Sequence, residues 1–437
     1  MLRRLDLRGT DTADARALRH HLPRPEVHAE PPVEQVRAVL DEVRTDGDAA
    51  LRRLTERFDG ARIDALRVPP DAVAAAVDAI PADLRAALEA AHANVWAYHA
   101  TQVQPEVTHR NGGVTVREMV RPVDRAGCYV PTAAAPLVSS VIMTAVPAKV
   151  AGVPEVVLCT SPGPDGQVVP GVLAAAAIAG VGEVYRVGGP AAIGAMAYGT
   201  ESIRPVDVIV GPGSTRVAQA KREVAGQGLV GVPSAFAGPS EVVVIADRTV
   251  PAEHVAVDVI LQAEHGPEGL AWLVTWDEAV ADAVTEAVAR LVPASPRREH
   301  LERTLSEAGW VVLTDGPAQA MAVSDAIAPE HLELLVDDPE ALLPLVHHAG
   351  AVFCGALTPA SIGDYVAGPN HVLPTSGSAR FSGALRVDDF RKHVHVVTVD
   401  RQGLDEVADH VVALATYEGL PAHADAVRLR RQQVPTP

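Results

Sequence analysis

The alternation of apolar and polar positions divides the chain into a helical first quarter and a longer stretch in which strands and helices take turns. Residues 1–32 are polar and broken by Pro23, Pro25 and Pro31, which predicts a short arm with one helix near 11–21. Helical spacing of Ala, Leu and Val then runs over 33–58 and over 72–99, the second interrupted at Pro81. Residues 114–120 alternate as a strand does. Further on, short continuous apolar runs at 156–160, 183–187, 206–210 and 241–246 are separated by Ala-rich helical segments such as 172–179 and 191–198. A second set of runs lies at 271–275, 310–314 and 351–354. Short, largely apolar runs separated by helices predict parallel strands buried on both faces. Two such sets predict an α/β protein with two doubly wound Rossmann-like domains and small N- and C-terminal lobes. The boundaries expected are 1–32 for the arm, 33–128 plus 239–385 for the first α/β domain, 129–238 for the second, and 386–437 for a lobe with one strand at 394–399 and a helical end.

Composition narrows the class. A chain of 437 residues that is 48% apolar can bury a large core. Its net charge of −18 argues against a nucleic-acid partner. There is no apolar run long enough to cross a bilayer and no signal-peptide pattern at the start, so a cytoplasmic protein is expected. Cys128, Cys159 and Cys354 are far apart and lack CxxC spacing, which predicts reduced, buried thiols.

The chemistry-bearing residues fall in a few polar clusters. Val255, Val257, Ile260 and Leu261 give the segment from His254 one apolar helical face, and Gly266-Pro267 stops it. Gln262 and His265, three apart, share the last turn, as either half of a metal site or a satisfied helix end. Ser240, in Ala237-Gly-Pro-Ser240-Glu241, suits a cap or a ligand contact. Glu330-His331 sets a carboxylate beside an imidazole, two groups able to transfer protons in different steps. The stretch Gly363-Asp364-Tyr365 to Gly368-Pro369-Asn370-His371 and on to Pro374-Thr375 has no helix or strand period and is rich in special backbone residues, as a loop shaped for a purpose is. Glu418-Gly-Leu-Pro-Ala-His423 has the same character. Two Gly-rich turns, Val187-Gly188-Gly189-Pro190 and Val210-Gly211-Pro212-Gly213-Ser214, follow strands where a nucleotide would bind, though neither is a GxGxxG fingerprint.

Taken together, Ser139-Ser-Val-Ile-Met, Pro147-Ala-Lys-Val-Ala-Gly, Ala237-Gly-Pro-Ser-Glu, Gln262-Ala-Glu-His265-Gly, Pro329-Glu-His-Leu-Glu and Gly363-Asp-Tyr…Asn370-His-Val-Leu-Pro-Thr resemble the histidinol dehydrogenase family in order and combination, from Leu5 to His423. The resemblance implies oxidation of L-histidinol to L-histidine through an aldehyde in two NAD-dependent steps, the end of histidine biosynthesis. It implies Zn2+ held by Gln262, His265, Asp364 and His423, a homodimer in which the C-terminal lobe reaches the partner's site, and Glu330 and His331 as the catalytic proton-transfer pair. Ser240, Gln262, His265, His331, Asp364, His371, Glu418 and His423 would meet the substrate, and Tyr129, Ala191 and Ser214 the NAD. This chain departs from the family pattern on the cofactor side: Thr132-Ala133 replace two glycines, Ala191 a glutamine, Ser214 an asparagine, and Pro233-Ser-Ala-Phe236 an acidic turn. A sibling enzyme acting on another polar alcohol, such as a sulfonated diol, is the alternative, and a zinc hydrolase or a non-catalytic metal protein stand further off.

Overall fold

The computed structural model describes residues 2–11, 15–23, 32–132, 136–233, 240–264 and 269–432. Its strands, in chain order, are β1 (Arg3–Asp6), β2 (Val107–Asn111), β3 (Val114–Pro122), β4 (Arg125–Val130), β5 (Glu155–Thr160), β6 (Glu183–Arg186), β7 (Val208–Val210), β8 (Glu241–Ala246), β9 (Leu270–Thr275), β10 (Gly309–Leu313), β11 (His331–Leu335), β12 (Ala351–Cys354) and β13 (Arg391–Val399). They form two parallel sheets, ordered β6-β5-β4-β7 and β1-β10-β9-β8-β11-β12, and one antiparallel sheet ordered β13-β3-β2. In each parallel sheet the order reverses beside the first strand of its set, β4 in one and β8 in the other, as in a Rossmann half.

Backbone pleat explains how the central strands are held. On β8, Val242, Val244 and Ala246 enter the apolar cluster on one face of the sheet, while Val243 and Ile245 enter the cluster on the other. Each fully buried valine contributes about 1.5–3 kcal/mol relative to exposure. The four-stranded sheet packs against the long helix Val33–Asp59, whose Val36, Leu40, Val43, Leu51 and Leu54 join its core. At the N-terminal edge of that sheet, buried Arg125 bonds Glu155 at 2.8 Å and also pairs with Glu183, tying three neighbouring strands together.

Three local expectations are corrected. The helix Ala252–Ala263 buries Val255, Ala256, Asp258, Val259, Gln262 and Ala263, whereas Val257 is 49% exposed, so its inner face is rotated from the purely apolar one. The polar arm supplies β1, which pairs with β10 through its backbone and so needs no apolar side chains. The Gly363–Thr375 stretch is not loop throughout: the short helix Ala360–Tyr365 carries its first residues.

The chain divides into two compact units, Met1–Gln102 with Asp124–Phe390, and Val103–Val123 with Arg391–Pro437. The first holds both parallel sheets; the second holds β2, β3 and β13 and the helices Arg401–Tyr417 and Pro421–Gln432. Val114–Pro122, within the span 33–128, pairs along its length with β13. Among the described residues no helix is long and apolar enough to cross a membrane.

Ala328 closes the helix Pro317–Ile327 with φ of 54° and turns the chain into β11. An alanine in this left-handed conformation costs about 1–2 kcal/mol, and glycine would relieve it while adding about 0.4–1 kcal/mol of unfolded-state entropy. Ala328→Gly is therefore expected to be neutral or stabilising by up to about 1 kcal/mol, and Ala328→Val destabilising by about 1–2 kcal/mol, in urea titrations.

Candidate active site

The polar cluster sits at the N-terminal edge of the six-stranded sheet, where β8 begins at Glu241 and β11 at His331. Register places His331 directly beside Val242 and Ala351. The imidazole is buried and met on both nitrogens. Gln262 Nε2 lies 3.2 Å from Nδ1, the Glu241 carbonyl 3.1 Å and the Glu330 carboxylate 3.4 Å, while Asp364 Oδ1 is 3.1 Å from Nε2. The Phe353 ring stacks on it at 5.8 Å. Burial alone would pull the His331 pKa down; the charge on Glu330 and the hydrogen bond to Asp364 outweigh it and hold the group well above the ordinary histidine value. Glu330 is itself fixed, its Oε2 accepting the Glu241 N–H at 2.9 Å.

His371 joins the same cluster from the loop after the short helix. Its Nδ1 is 2.8 Å from the Asp364 carbonyl and its Nε2 3.0 Å from Ser140 Oγ, and burial lowers its pKa. Ser140 lies in the helix Val138–Val150, which follows β4 of the other parallel sheet. That helix contains Pro147, which has no N–H to give to the Met143 carbonyl one turn back. Asn370 Nδ2 fills the vacancy at 2.6 Å, and Asn370 Oδ1 accepts the Val372 N–H at 2.8 Å. A proline in one motif thus explains an asparagine in another.

Gln262 Oε1 is buried and has no hydrogen-bond partner among the described residues. An amide oxygen left in this way costs about 1–3 kcal/mol unless a donor or cation meets it. Of the other proposed ligands, Asp364 meets the same imidazole as Gln262. His265 lies outside the described residues, and Glu418 and His423 are exposed in the second compact unit. Among the described residues no group of three or more His, Cys, Asp or Glu is arranged to hold a metal ion. Ser240 is half-buried and its carbonyl accepts the Leu270 N–H at 3.1 Å.

Tyr129, Ala191 and Ser214 come together, lining one cavity of about 570 Å³ with Asp59, Ser161, Gly188, Gly189, Arg216 and residues of the helix Val33–Asp59. The cavity opens at the C-terminal ends of β4, β5, β6 and β7, where open α/β sheets take ligands. The helices Gly189–Tyr198 and Thr215–Gly226 start there with no acidic residue in the first turn, so both N-terminal dipoles favour an anion. Tyr129 OH accepts the Gly189 N–H at 3.2 Å, and burial raises its pKa to about 12. Gly211 has φ of +117°, and a Cβ there would overlap the Tyr129 carbonyl oxygen. Its own carbonyl is held by the fully buried Lys221, whose pKa burial lowers to about 7. Cys128 and Cys159 are buried as expected, and burial raises both pKa values, whereas Cys354 is only half-buried.

Sequence reasoning left Asp258, Glu333, Asp59 and Ser161 without a role, although Glu333 stood in a quoted motif. The signal available was a charged residue inside an otherwise apolar strand or helix face.

Two Rossmann-type sheets, a buried carboxylate–imidazole–amide cluster and a dinucleotide-sized cavity define an α/β enzyme. The histidinol dehydrogenase family model matches residues 22–431. The chain is 48% identical over 398 residues to a histidinol dehydrogenase of Parasynechococcus marenigrum, covering 91% of this chain and 90% of that protein. It is 44% identical over 419 residues to one of Chlorobaculum tepidum, covering 95% and 97%. A crystal structure of histidinol dehydrogenase from Elizabethkingia anophelis superposes with a TM-score of 0.92 at 33% identity, covering 98% of each chain. The chain belongs to the histidinol dehydrogenase family and is a dehydrogenase of that type.

Asn370→Ala would strand the Met143 carbonyl in the interior. It is expected to lower unfolding free energy by about 1–3 kcal/mol in urea titration.

Proposed function

We propose that the protein oxidises L-histidinol to L-histidine in two NAD-dependent steps through an aldehyde, as the last reaction of histidine biosynthesis. The observation that carries this reading is the buried His331, bracketed by Gln262, Glu330 and Asp364 beside an amide oxygen with no partner among the described residues. Gln262 and Asp364, with His265 and His423, would hold Zn2+; two histidines and two oxygens make a reasonable donor set. When bound, NAD takes up the hydrides and zinc fixes the amine and imidazole of the substrate.

The chain's own residues handle protons. An alcohol cannot release hydride unless its hydroxyl proton also leaves, and His331 is the acceptor. The carboxylates of Glu330 and Asp364 beside the ring stabilise the imidazolium that this transfer forms. In the second step a water must add to the aldehyde, and Glu330 is the carboxylate positioned to take its proton. Ser240, His371 and Glu418 complete the substrate surroundings. On the other side, Tyr129, Ala191 and Ser214 line the cavity proposed for NAD.

We infer a homodimer in which Glu418 and His423 reach the partner's site. Both are exposed, and the unit that carries them displays a set of uncovered apolar side chains, among them Val397, Leu414, Tyr417 and Leu429. Such a surface suits a second copy of the chain.

The decisive assay is NADH formation with L-histidinol against a panel of polar alcohols that includes sulfonated diols. Turnover of histidinol is expected; none at millimolar substrate, with a diol oxidised instead, assigns the sibling activity. Mixing Gln262→Ala and His423→Ala homodimers, each inactive, is expected to restore about one quarter of native activity, because a random heterodimer rebuilds one of its two shared sites. Restoring the family's amides with Ala191→Gln or Ser214→Asn is expected to tighten NAD binding about fivefold each in fluorescence titration, the equivalent of about 1 kcal/mol per hydrogen bond.

A further inference from the structure

Beside the cluster lies a second pair of buried groups that the chemistry above does not use. Glu333 is 0% exposed on β11 and Asp258 is 7% exposed on the helix Ala252–Ala263. Glu333 Oε1 accepts the N–H of Ala360, the first residue of the short helix, at 3.3 Å. Among the described residues Glu333 Oε2 meets no N–H or hydroxyl donor; the Glu333 carboxyl neighbours that of buried Asp258 on the helix Ala252–Ala263, within side-chain hydrogen-bonding reach. Two carboxylates can bond in this way only with a proton between them.

The arrangement repeats that of the active cluster. On β11, Glu333 and His331 are two apart and share a face. Asp258 and Gln262 are four apart on one helix, and Ala360 and Asp364 are four apart on the other. Two strand residues rise about 6.6 Å and four helical residues about 6 Å, so all three elements keep step. The result is a ladder of two rungs: Gln262–His331–Asp364 above, and Asp258–Glu333–Ala360 N–H below.

We propose that Asp258 and Glu333, joined by one shared proton, are positioning residues that set the register of Gln262, His331 and Asp364. The inference rests on the reading of Gln262 and Asp364 as zinc ligands. A strand and two helices have no common hydrogen-bond ladder, so side chains must fix their relative height. The lower rung does so out of reach of substrate. Burial, and then the charge of Asp258, raises the Glu333 pKa to about 9. The other groups acting on the pair are His254 on the Asp258 helix, His331 on the strand and the Ala360 N–H. Above about pH 9 the shared proton leaves, and the two carboxylates repel.

The test uses the intact homodimer and three readouts. The first is zinc affinity by chelator competition, at neutral pH and at about pH 10. Glu333→Gln keeps an oxygen for Ala360 and an N–H for Asp258, and is expected to bind zinc within about threefold of native at neutral pH; Glu333→Leu, which keeps neither, is expected to bind at least about thirtyfold more weakly. The native-to-Gln affinity ratio is expected to fall about tenfold on going to the higher pH, a shift that a merely space-filling pair would not produce. The second readout is NAD affinity, expected unchanged in both variants. The third is the infrared carbonyl band of a protonated carboxylic acid, expected in native protein at neutral pH without added metal and lost in Glu333→Gln. Native-like zinc affinity in Glu333→Leu, or a constant ratio, overturns the positioning role. Absence of the infrared band overturns the shared proton even if Glu333→Leu does not fold. Native protein that takes up no zinc while keeping the band defeats the zinc reading and leaves the carboxyl pair standing.

Discussion

A buried imidazole at the rim of a sheet is tolerable only when both ring nitrogens are met, and meeting them fixes everything around it. His331 needs a partner on Nδ1 and another on Nε2. The first comes from the end of one helix and the edge of β8; the second comes from a short helix whose position depends on Phe353 and on the loop that follows. Gly363 shows how little freedom is left, because a Cβ there would overlap the Phe353 ring that stacks on His331. The loop after it is pinned in turn by Asn370 to a carbonyl freed by Pro147, and by His371 to Ser140. One imidazole thus links the N-terminal edge of one sheet to a helix belonging to the other.

How much of this was legible in the sequence depended on which physical signal carried it. Strands made of β-branched runs, such as β8 and β5, were read correctly because burial on both faces leaves a continuous apolar signature. Strands β4 and β11 were not read as strands, and both carry site residues. In β4, Gly127 and Arg125 interrupt the run; in β11, His331 and Glu333 do. Charged residues on a fully buried strand look like a loop until their partners are seen. The Ala252–Ala263 helix failed in the complementary way. Counting apolar residues placed Val257 inside, whereas the inner face includes Asp258 and Gln262 because each has a polar neighbour across the interface. Periodicity reads transfer free energy and is blind to polar groups satisfied by tertiary contacts.

The site itself was legible as a set of motifs, and its geometry was not. The order of Gln262, Glu330, His331, Asp364 and His371 along the chain says nothing about which nitrogen faces which oxygen. The structure brings these residues together through a strand, two helices and the loops beside them, and adds Ser140 and Glu241, whose contributions are a hydroxyl and a backbone carbonyl. A backbone carbonyl has no residue-type signature at all, so no reading of side chains would have found it.

The same distinction between backbone and side chain bears on the cavity proposed for NAD, where Ala191 and Ser214 stand in place of the amides that the family resemblance implies. The cavity presents two helix N-termini, a glycine turn at 188–189 and a Gly211 carbonyl held by Lys221. These are properties of main-chain geometry and survive any exchange at position 191 or 214. What the exchange to Ala191 and Ser214 removes is the reach of two amide side chains, each able to add about 1 kcal/mol. On the proposed reading, recognition of a phosphate-rich ligand would keep these dipoles and N–H groups and forgo the side-chain increment. A loss of that kind would loosen binding without moving the proposed site, because Ala191 and Ser214 line the cavity and not the cluster around His331.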